Sequence, residues 1–218
     1  MPFTIHDMRL IVTEIFHSLQ GEGPFIGLPS VFVRLGGCIE PLCPWCDTRY
    51  AWHEFEEMGN GEIMAAIRRH ACRNVVVTGG EPFLQWVSGL ENLHDELAGE
   101  GYRIYYETSG KVEIPSLGDA AVIMSPKHIE GEWHIAAGNL TRAQYFKFVA
   151  DDEESLQAID RFVKDNGLAR EQVYIMPMGV TRREQCERME LIFSFCRDKG
   201  YWMTPRLHVL IFDDRRGV

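Results

Sequence analysis

Three of the six cysteines, Cys38, Cys43 and Cys46, fall within nine residues of one another. They lie in the stretch Gly36-Gly37-Cys38-Ile39-Glu40-Pro41-Leu42-Cys43-Pro44-Trp45-Cys46-Asp47-Thr48. Glycine and proline there let the backbone wrap around a bulky group, so that three thiolates face one centre. Two centres suit such a set. A cubane iron–sulfur cluster held by three soft thiolates keeps one iron open to a chelating ligand. A structural zinc loop needs a fourth ligand, for which His53 is the nearby candidate. Clustering of this kind suggests metal ligation rather than disulfides, whereas Cys72, Cys186 and Cys196 are scattered and read as ordinary structural cysteines.

A second group of interest is Val75-Val76-Val77-Thr78-Gly79-Gly80-Glu81-Pro82, an apolar run that ends in a glycine pair. Residues without side chains let a ligand approach main-chain carbonyls, which accept hydrogen bonds from an ammonium group. Taken by itself the pair is a turn. Arg34, at the end of another apolar run, carries the planar charged fork that suits a carboxylate, although an arginine in that position is also commonly just solvated.

Something must position these groups. The segments Val31 to Leu35, Asn74 to Thr78, Arg103 to Glu107, Ala121 to Met124, Tyr145 to Val149, Val173 to Met176 and Arg206 to Leu210 read as strands. Several are continuously apolar, as parallel strands are when both faces are covered. Between them, Gly61 to His70, Val87 to Ala98, Glu153 to Lys164 and Arg182 to Lys199 have helical spacing or composition. The alternation predicts an α/β fold, and the shortage of helices predicts a partial, open TIM-like barrel of about six parallel strands rather than a complete one. In such folds functional groups gather at the carboxyl ends of the strands, where the motifs above fall.

At 218 residues with 45% hydrophobic content, the chain fits one domain spanning residues 1–218. No linker, repeat or low-complexity segment divides it. Its 32 acidic against 22 basic residues give a formal charge of -10, which argues against gripping a phosphate backbone and favours a small-molecule substrate. No apolar run approaches the roughly 20 residues of a membrane span. The stretch Met1 to Thr13 contains Asp7 and Arg9 and lacks the pattern of a secretory signal, so a cytoplasmic location is expected.

The cysteine loop and the Gly-Gly-Glu-Pro turn together resemble the radical S-adenosylmethionine superfamily, which displaces the zinc reading. That superfamily's usual motif has three residues between its first two cysteines; here Ile39 to Leu42 make four, and a bulged loop absorbs the extra one. Within the superfamily the chain is similar to the 7-carboxy-7-deazaguanine synthases over nearly its whole length. The similarity is carried by Glu14-Ile15-Phe16-His17-Ser18-Leu19-Gln20-Gly21-Glu22-Gly23, Pro29 to Arg34, Cys46-Asp47-Thr48, Glu107-Thr108-Ser109-Gly110, Ser125-Pro126-Lys127, Leu207-His208 and the terminal Arg216-Gly217-Val218.

The resemblance implies a lyase that converts 6-carboxy-5,6,7,8-tetrahydropterin to 7-carboxy-7-deazaguanine with loss of ammonia, on the route to deazapurine-modified tRNA nucleosides of the queuosine and archaeosine type. It implies a [4Fe-4S] cluster on Cys38, Cys43 and Cys46, magnesium on Thr48, and a radical reaction starting from hydrogen abstraction at C6. S-Adenosylmethionine would meet Trp45, Cys46, Asp47, Gly80, Ser109, Ser125, Pro126, Lys127 and the turn Met176-Pro177-Met178-Gly179. Met176 stands where the family commonly has glutamine, leaving backbone contacts to serve there. The pterin would meet Leu19, Gln20, Gly21, Glu22, Arg34, Thr78, His208 and the carboxylate of Val218, with the tail 206–218 closing the pocket. An amide and a carboxylate at Gln20 and Glu22 suit the donor and acceptor edge of a pterin. The implied partners are the pterin, an electron donor such as flavodoxin and a second copy in a homodimer, with no direct contact to nucleic acid or membrane. A small glycyl-radical-activating enzyme and a non-catalytic zinc module are the competing functions. Gln20 to Gly23 and the Arg-Gly-Val terminus argue against the first.

Overall fold

The computed structural model describes residues 8–218; Met1 to Asp7, part of the segment read for a secretory signal, lie outside them. The chain enters as β1 (Arg9–Leu19), which pairs antiparallel with both β2 (Pro29–Leu35) and β3 (Glu56–Gly59). It continues through α1 (Asn60–Arg68), β4 (Asn74–Gly79), α2 (Glu91–Gly99), β5 (Arg103–Thr108), β6 (Ala121–Met124) and a small hairpin of β7 (Lys127–Ile129) and β8 (Glu132–His134). Then follow β9 (Tyr145–Ala150), α3 (Glu153–Asp165), β10 (Val173–Pro177), α4 (Arg182–Lys199), β11 (Trp202–Met203) and α5 (Leu207–Phe212). The nine-stranded sheet runs β11-β10-β9-β6-β5-β4-β2-β1-β3. From β2 to β11 every pairing is parallel.

The two-residue period of a strand separates the faces of this sheet. Val31, Val33, Val75, Val77, Ile104, Tyr106, Val122, Phe146, Phe148, Val173 and Ile175 join the main core with Ile63 and Ile67 of α1, Leu93 and Leu97 of α2, Ile159 and Phe162 of α3, and Ile192 of α4. The alternate residues Phe32, Val76, Tyr105 and Ile123 form a separate cluster with Phe16, Phe25 and Tyr145 on the other face. Phe25 meets Tyr105 and Tyr145 edge-on at ring separations of 4.6 and 5.5 Å. These residues fill one end of the helix-free face. Two positions further along each strand the same face turns polar: Arg34, Thr78, Glu107, Ser125 and Lys147 follow Phe32, Val76, Tyr105, Ile123 and Tyr145. Phe32 faces Val76 and Val76 faces Tyr105, so Arg34, Thr78 and Glu107 share one level above an apolar plug. Glu107 faces Ile123, which faces Tyr145, so Ser125 and Lys147 stand two residues further along their strands. One helix-covered face and one face that closes on itself make an incomplete barrel.

The six interior parallel strands appear where the sequence places them. Helix α4 matches its predicted limits because Thr181 and Glu184 cap its start reciprocally and Gly200, with φ 76°, ends it. Helix α2 starts later than Val87, since Gly89 with φ 149° interrupts the preceding turn. The segment Arg206 to Leu210 is not a strand, and most of it lies in α5. The amide of Leu207 donates to the carbonyl of Gly21 at 2.8 Å, and Arg182 of α4 donates to the carbonyls of Leu210 and Ile211 at 2.7 and 2.9 Å. These contacts satisfy both ends of a short helix and override the β preference of its residues. Strand β1, unpredicted, alternates buried Leu10 and Val12 with more exposed neighbours, as an outer antiparallel strand does.

Candidate active site

The carboxyl ends of the parallel strands, the cysteine loop and the C-terminal tail enclose a cavity of about 220 Å³. It is lined by every site residue expected from the sequence except Pro126, which sits between two lining residues, Ser125 and Lys127.

Cys38, Cys43 and Cys46 are free thiols, half-buried, and all face the cavity. Within the four-residue gap of the loop, Glu40 accepts a hydrogen bond from the amide of Leu42 at 2.8 Å and Lys111 donates to the carbonyl of Pro41. Burial pushes the Cys38 thiol up from its ordinary value, a cost that metal ligation reverses. Among the described residues, the three sulfurs are not a group whose ligand atoms all lie within 4.8 Å of one another. One zinc ion, bonding sulfur at about 2.3 Å, would draw them closer than that. His53, the expected fourth zinc ligand, does not line the cavity. The donor set therefore fits a multi-iron group better than a single ion.

The Gly79-Gly80 turn lies directly against the cysteine loop. The amide of Gly80 donates to the carbonyl of Leu35 at 3.0 Å, and that of Glu81 to Gly37 at 2.9 Å. A Cβ on Gly80 would sit 1.4 Å from the Gly37 oxygen, so no side chain fits. Gly79 has φ +124°, which favours glycine. Beneath the turn, fully buried Glu81 accepts from Thr108 Oγ1 at 2.6 Å and from the Ser109 amide at 2.9 Å. Burial pushes its carboxyl up, against the hydrogen bonds from Ser109 and Thr108. This ties β4 to the end of β5 and leaves an open backbone cradle beside the thiols. Opposite, Lys127 donates to Ser125 Oγ at 2.6 Å, its own pKa lowered by burial.

The remaining wall is a buried ionic network. Glu22 is 2.6 Å from Lys147 Nζ and 2.9 Å from Arg206 Nε. Lys147 also reaches Glu107 at 3.2 Å, and Arg206 pairs with Asp47 and donates to the carbonyl of Gly179 at 2.8 Å. Burial disfavours the Glu22 carboxylate, but Lys147, then Arg206, hold its pKa well below the ordinary range. Gln20 Nε2 donates to Glu107 at 3.0 Å, and Gln20 Oε1 accepts from the Glu22 amide at 3.2 Å. His208 packs on Gly21, where a Cβ would lie 2.2 Å from Nδ1, and burial lowers its pKa.

Arg34 is set by β1 and by the loop after Cys46. Its Nε donates to Glu14 at 2.7 Å and its guanidinium lies 5.8 Å from the Phe16 ring centroid. Tyr50 donates to the same Glu14 oxygen at 2.9 Å, and Arg216 of the tail stacks 3.6 Å from the Tyr50 ring centroid. Among the described residues no side chain occupies the terminal nitrogens of Arg34, which keeps its fork free. Thr48 donates to Asp47 Oδ1 at 2.9 Å.

Lys147, Glu107, Arg206 and Lys111 line the cavity without having been singled out from the sequence as site residues. The signal for Lys147 is a charged residue inside the otherwise apolar strand Tyr145–Ala150, at a position where period-two alternation points it away from the helices. Arg206 carried no such signal, because its segment was read as a strand.

No protein-family model matches the chain. It is 37% identical to the 7-carboxy-7-deazaguanine synthase of Pyrobaculum aerophilum over 96% of its own length and 97% of that protein. It is 36% identical to the enzyme of the same name from Hyperthermus butylicus, over 93% and 92%. The crystal structure of QueE from Escherichia coli superposes with a TM-score of 0.77 at 25% identity, covering 93% of this chain and 96% of that one. Relatives this similar from end to end, on a fold that brings three thiols, a glycine cradle and an ionic wall to one cavity, place the chain in the 7-carboxy-7-deazaguanine synthase family.

Proposed function

We propose that the chain is a radical S-adenosylmethionine lyase that converts 6-carboxy-5,6,7,8-tetrahydropterin to 7-carboxy-7-deazaguanine with loss of ammonia. The observation that carries this reading is the meeting of the three thiols, the Gly79-Gly80 cradle and the Arg34 fork in one cavity. Cys38, Cys43 and Cys46 would hold a [4Fe-4S] cluster, and Gly80, Ser109, Ser125, Lys127 and the turn from Met176 to Gly179 would hold S-adenosylmethionine beside Trp45 and Asp47. When bound, these groups supply one-electron reduction and hydrogen-atom abstraction.

The protein's share is binding and exclusion of water. Arg34 offers two coplanar donors to the substrate carboxylate. Glu22, with Gln20, Thr78 and the backbone of Leu19 and Gly21, accepts from and donates to the edge of the heterocycle. His208, kept neutral by burial, and the Val218 carboxylate approach from the tail, which Arg182 and Arg216 fasten down. The continuous sheet supports one domain over 1–218, with the tail 206–218 as its cover.

We extend the proposal to magnesium on Thr48, whose hydroxyl lines the cavity beside Asp47 and offers a hard oxygen. Thr48→Ala is expected to lose magnesium stimulation of turnover while keeping the cluster's visible absorption; unchanged magnesium dependence would remove this role. The family resemblance supports a small electron carrier such as flavodoxin as reductant, a homodimer and a cytoplasmic setting. Among the described residues no helix is long and apolar enough to cross a membrane.

Anaerobic reconstitution tests the cluster directly. About four irons per chain with broad visible absorption are expected. Stoichiometric zinc with no uptake of iron would defeat the assignment.

A further inference from the structure

Lys147 is a buried cation held between two carboxylates. Its side chain is 6% exposed, with Glu22 at 2.6 Å and Glu107 at 3.2 Å. The two carboxylates have further partners: Arg206 and His208 from the tail approach Glu22 at 2.9 and 3.9 Å, while Gln20 and Thr78 donate to Glu107 at 3.0 and 3.4 Å, and Lys127 is the other lysine of this wall. The two carboxylates are not equivalent. Glu22 has a second cation in Arg206, whereas among the described residues Lys147 is the one cation paired with Glu107. Burial opposes the ammonium charge, yet Glu107 and Glu22 hold its pKa above the ordinary lysine range.

Two neighbouring carboxylates without a cation between them repel, which favours a proton on one of them, and a protonated carboxyl becomes a donor. A donor there opposes the amino and ring N–H groups on the pyrimidine edge of a pterin, which ask for acceptors. Lys147 directs one N–H to each carboxylate and need not touch the substrate. We propose that Lys147 is a positioning residue for this reaction, which holds the Glu22 and Glu107 carboxylates side by side as acceptors so that the cavity selects the donor-rich edge of its heterocyclic substrate. This rests on the reading of the cavity as a pterin site.

The test is equilibrium binding of 6-carboxy-5,6,7,8-tetrahydropterin to the reconstituted protein. Lys147→Met should weaken the pterin roughly 10- to 100-fold. Affinity for S-adenosylmethionine should stay within about twofold, as for a site with separate contacts. Adding Glu107→Gln to Lys147→Met should restore part of the lost pterin affinity, because the amide removes the repulsion; a merely structural lysine gives no such recovery. If Lys147→Met does not accumulate as folded protein, the double variant is compared with Glu107→Gln alone. The two should then bind the pterin within about twofold of each other, and a tenfold gap would overturn the assignment. Wild-type affinity in Lys147→Met, or a double variant no better than it, would also overturn it. A wild-type protein that fails to bind the pterin would overturn the reading of the cavity and this assignment together.

Discussion

Arg34→Ala weakens binding of the pterin by about 2 to 5 kcal/mol, the cost of removing one partner from a buried charge pair. The side chain is fixed before substrate arrives: Glu14 takes its Nε at 2.7 Å, Phe16 lies beneath it and Tyr50 steadies Glu14 at 2.9 Å. Little ordering remains to be done on binding, so the terminal nitrogens deliver most of their interaction to a carboxylate. The thiols and the glycine cradle use other residues, so Arg34→Ala should keep the cluster's absorption and slow, uncoupled cleavage of S-adenosylmethionine by a strong reductant. Arg34→Lys should recover little, because one ammonium does not reproduce two coplanar donors. Equilibrium binding measures the effect, and near-normal affinity in Arg34→Ala would refute the assignment.

Glu22→Ala has a comparable effect, but on the fold as well as on binding. It strips Lys147 of one carboxylate and Arg206 of one of its two, and both cations are almost fully buried. Removing one partner from such a group costs about 3 to 5 kcal/mol. Despite the opposing effect of burial, Lys147 and Arg206 depress the Glu22 pKa. The stabilisation is therefore fully present above the ordinary carboxylate range and is lost as pH falls through the depressed folded value. Denaturant melts of wild type and Glu22→Ala should differ most near neutral pH and converge in acid. A constant gap across that range would show that charge is not the cause.

The distance between what the sequence reveals and what the structure adds has a physical pattern. Strands inside the sheet were legible because both faces are covered and the residues are continuously branched or aromatic, as in Val75 to Val77. Helix α4 was legible to the residue because its caps are local. Strand β1 was not legible, since most of its residues are only partly buried and polar and apolar types are mixed along it. The tail misled for a different reason: Leu207 to Phe212 is an apolar run with β preference, held as a helix by Gly21 and Arg182. At the site, groups with motif spacing, such as Cys38, Cys43 and Cys46, could be found directly. Lys147 and Glu107 become visible only when the strands are paired, which puts Glu107 level with Arg34 and Thr78 and Lys147 two residues further along, within hydrogen-bond reach of Glu107.

One measurement bears on the whole account. The reconstituted protein is incubated without oxygen with 6-carboxy-5,6,7,8-tetrahydropterin, S-adenosylmethionine, magnesium and a reductant, and the products are separated by mass and absorbance. Multiple turnovers to 7-carboxy-7-deazaguanine are expected, with ammonia released in equal amount, and none in Cys38→Ala. A protein that carries its full complement of iron, cleaves S-adenosylmethionine and leaves the pterin unchanged would contradict this function.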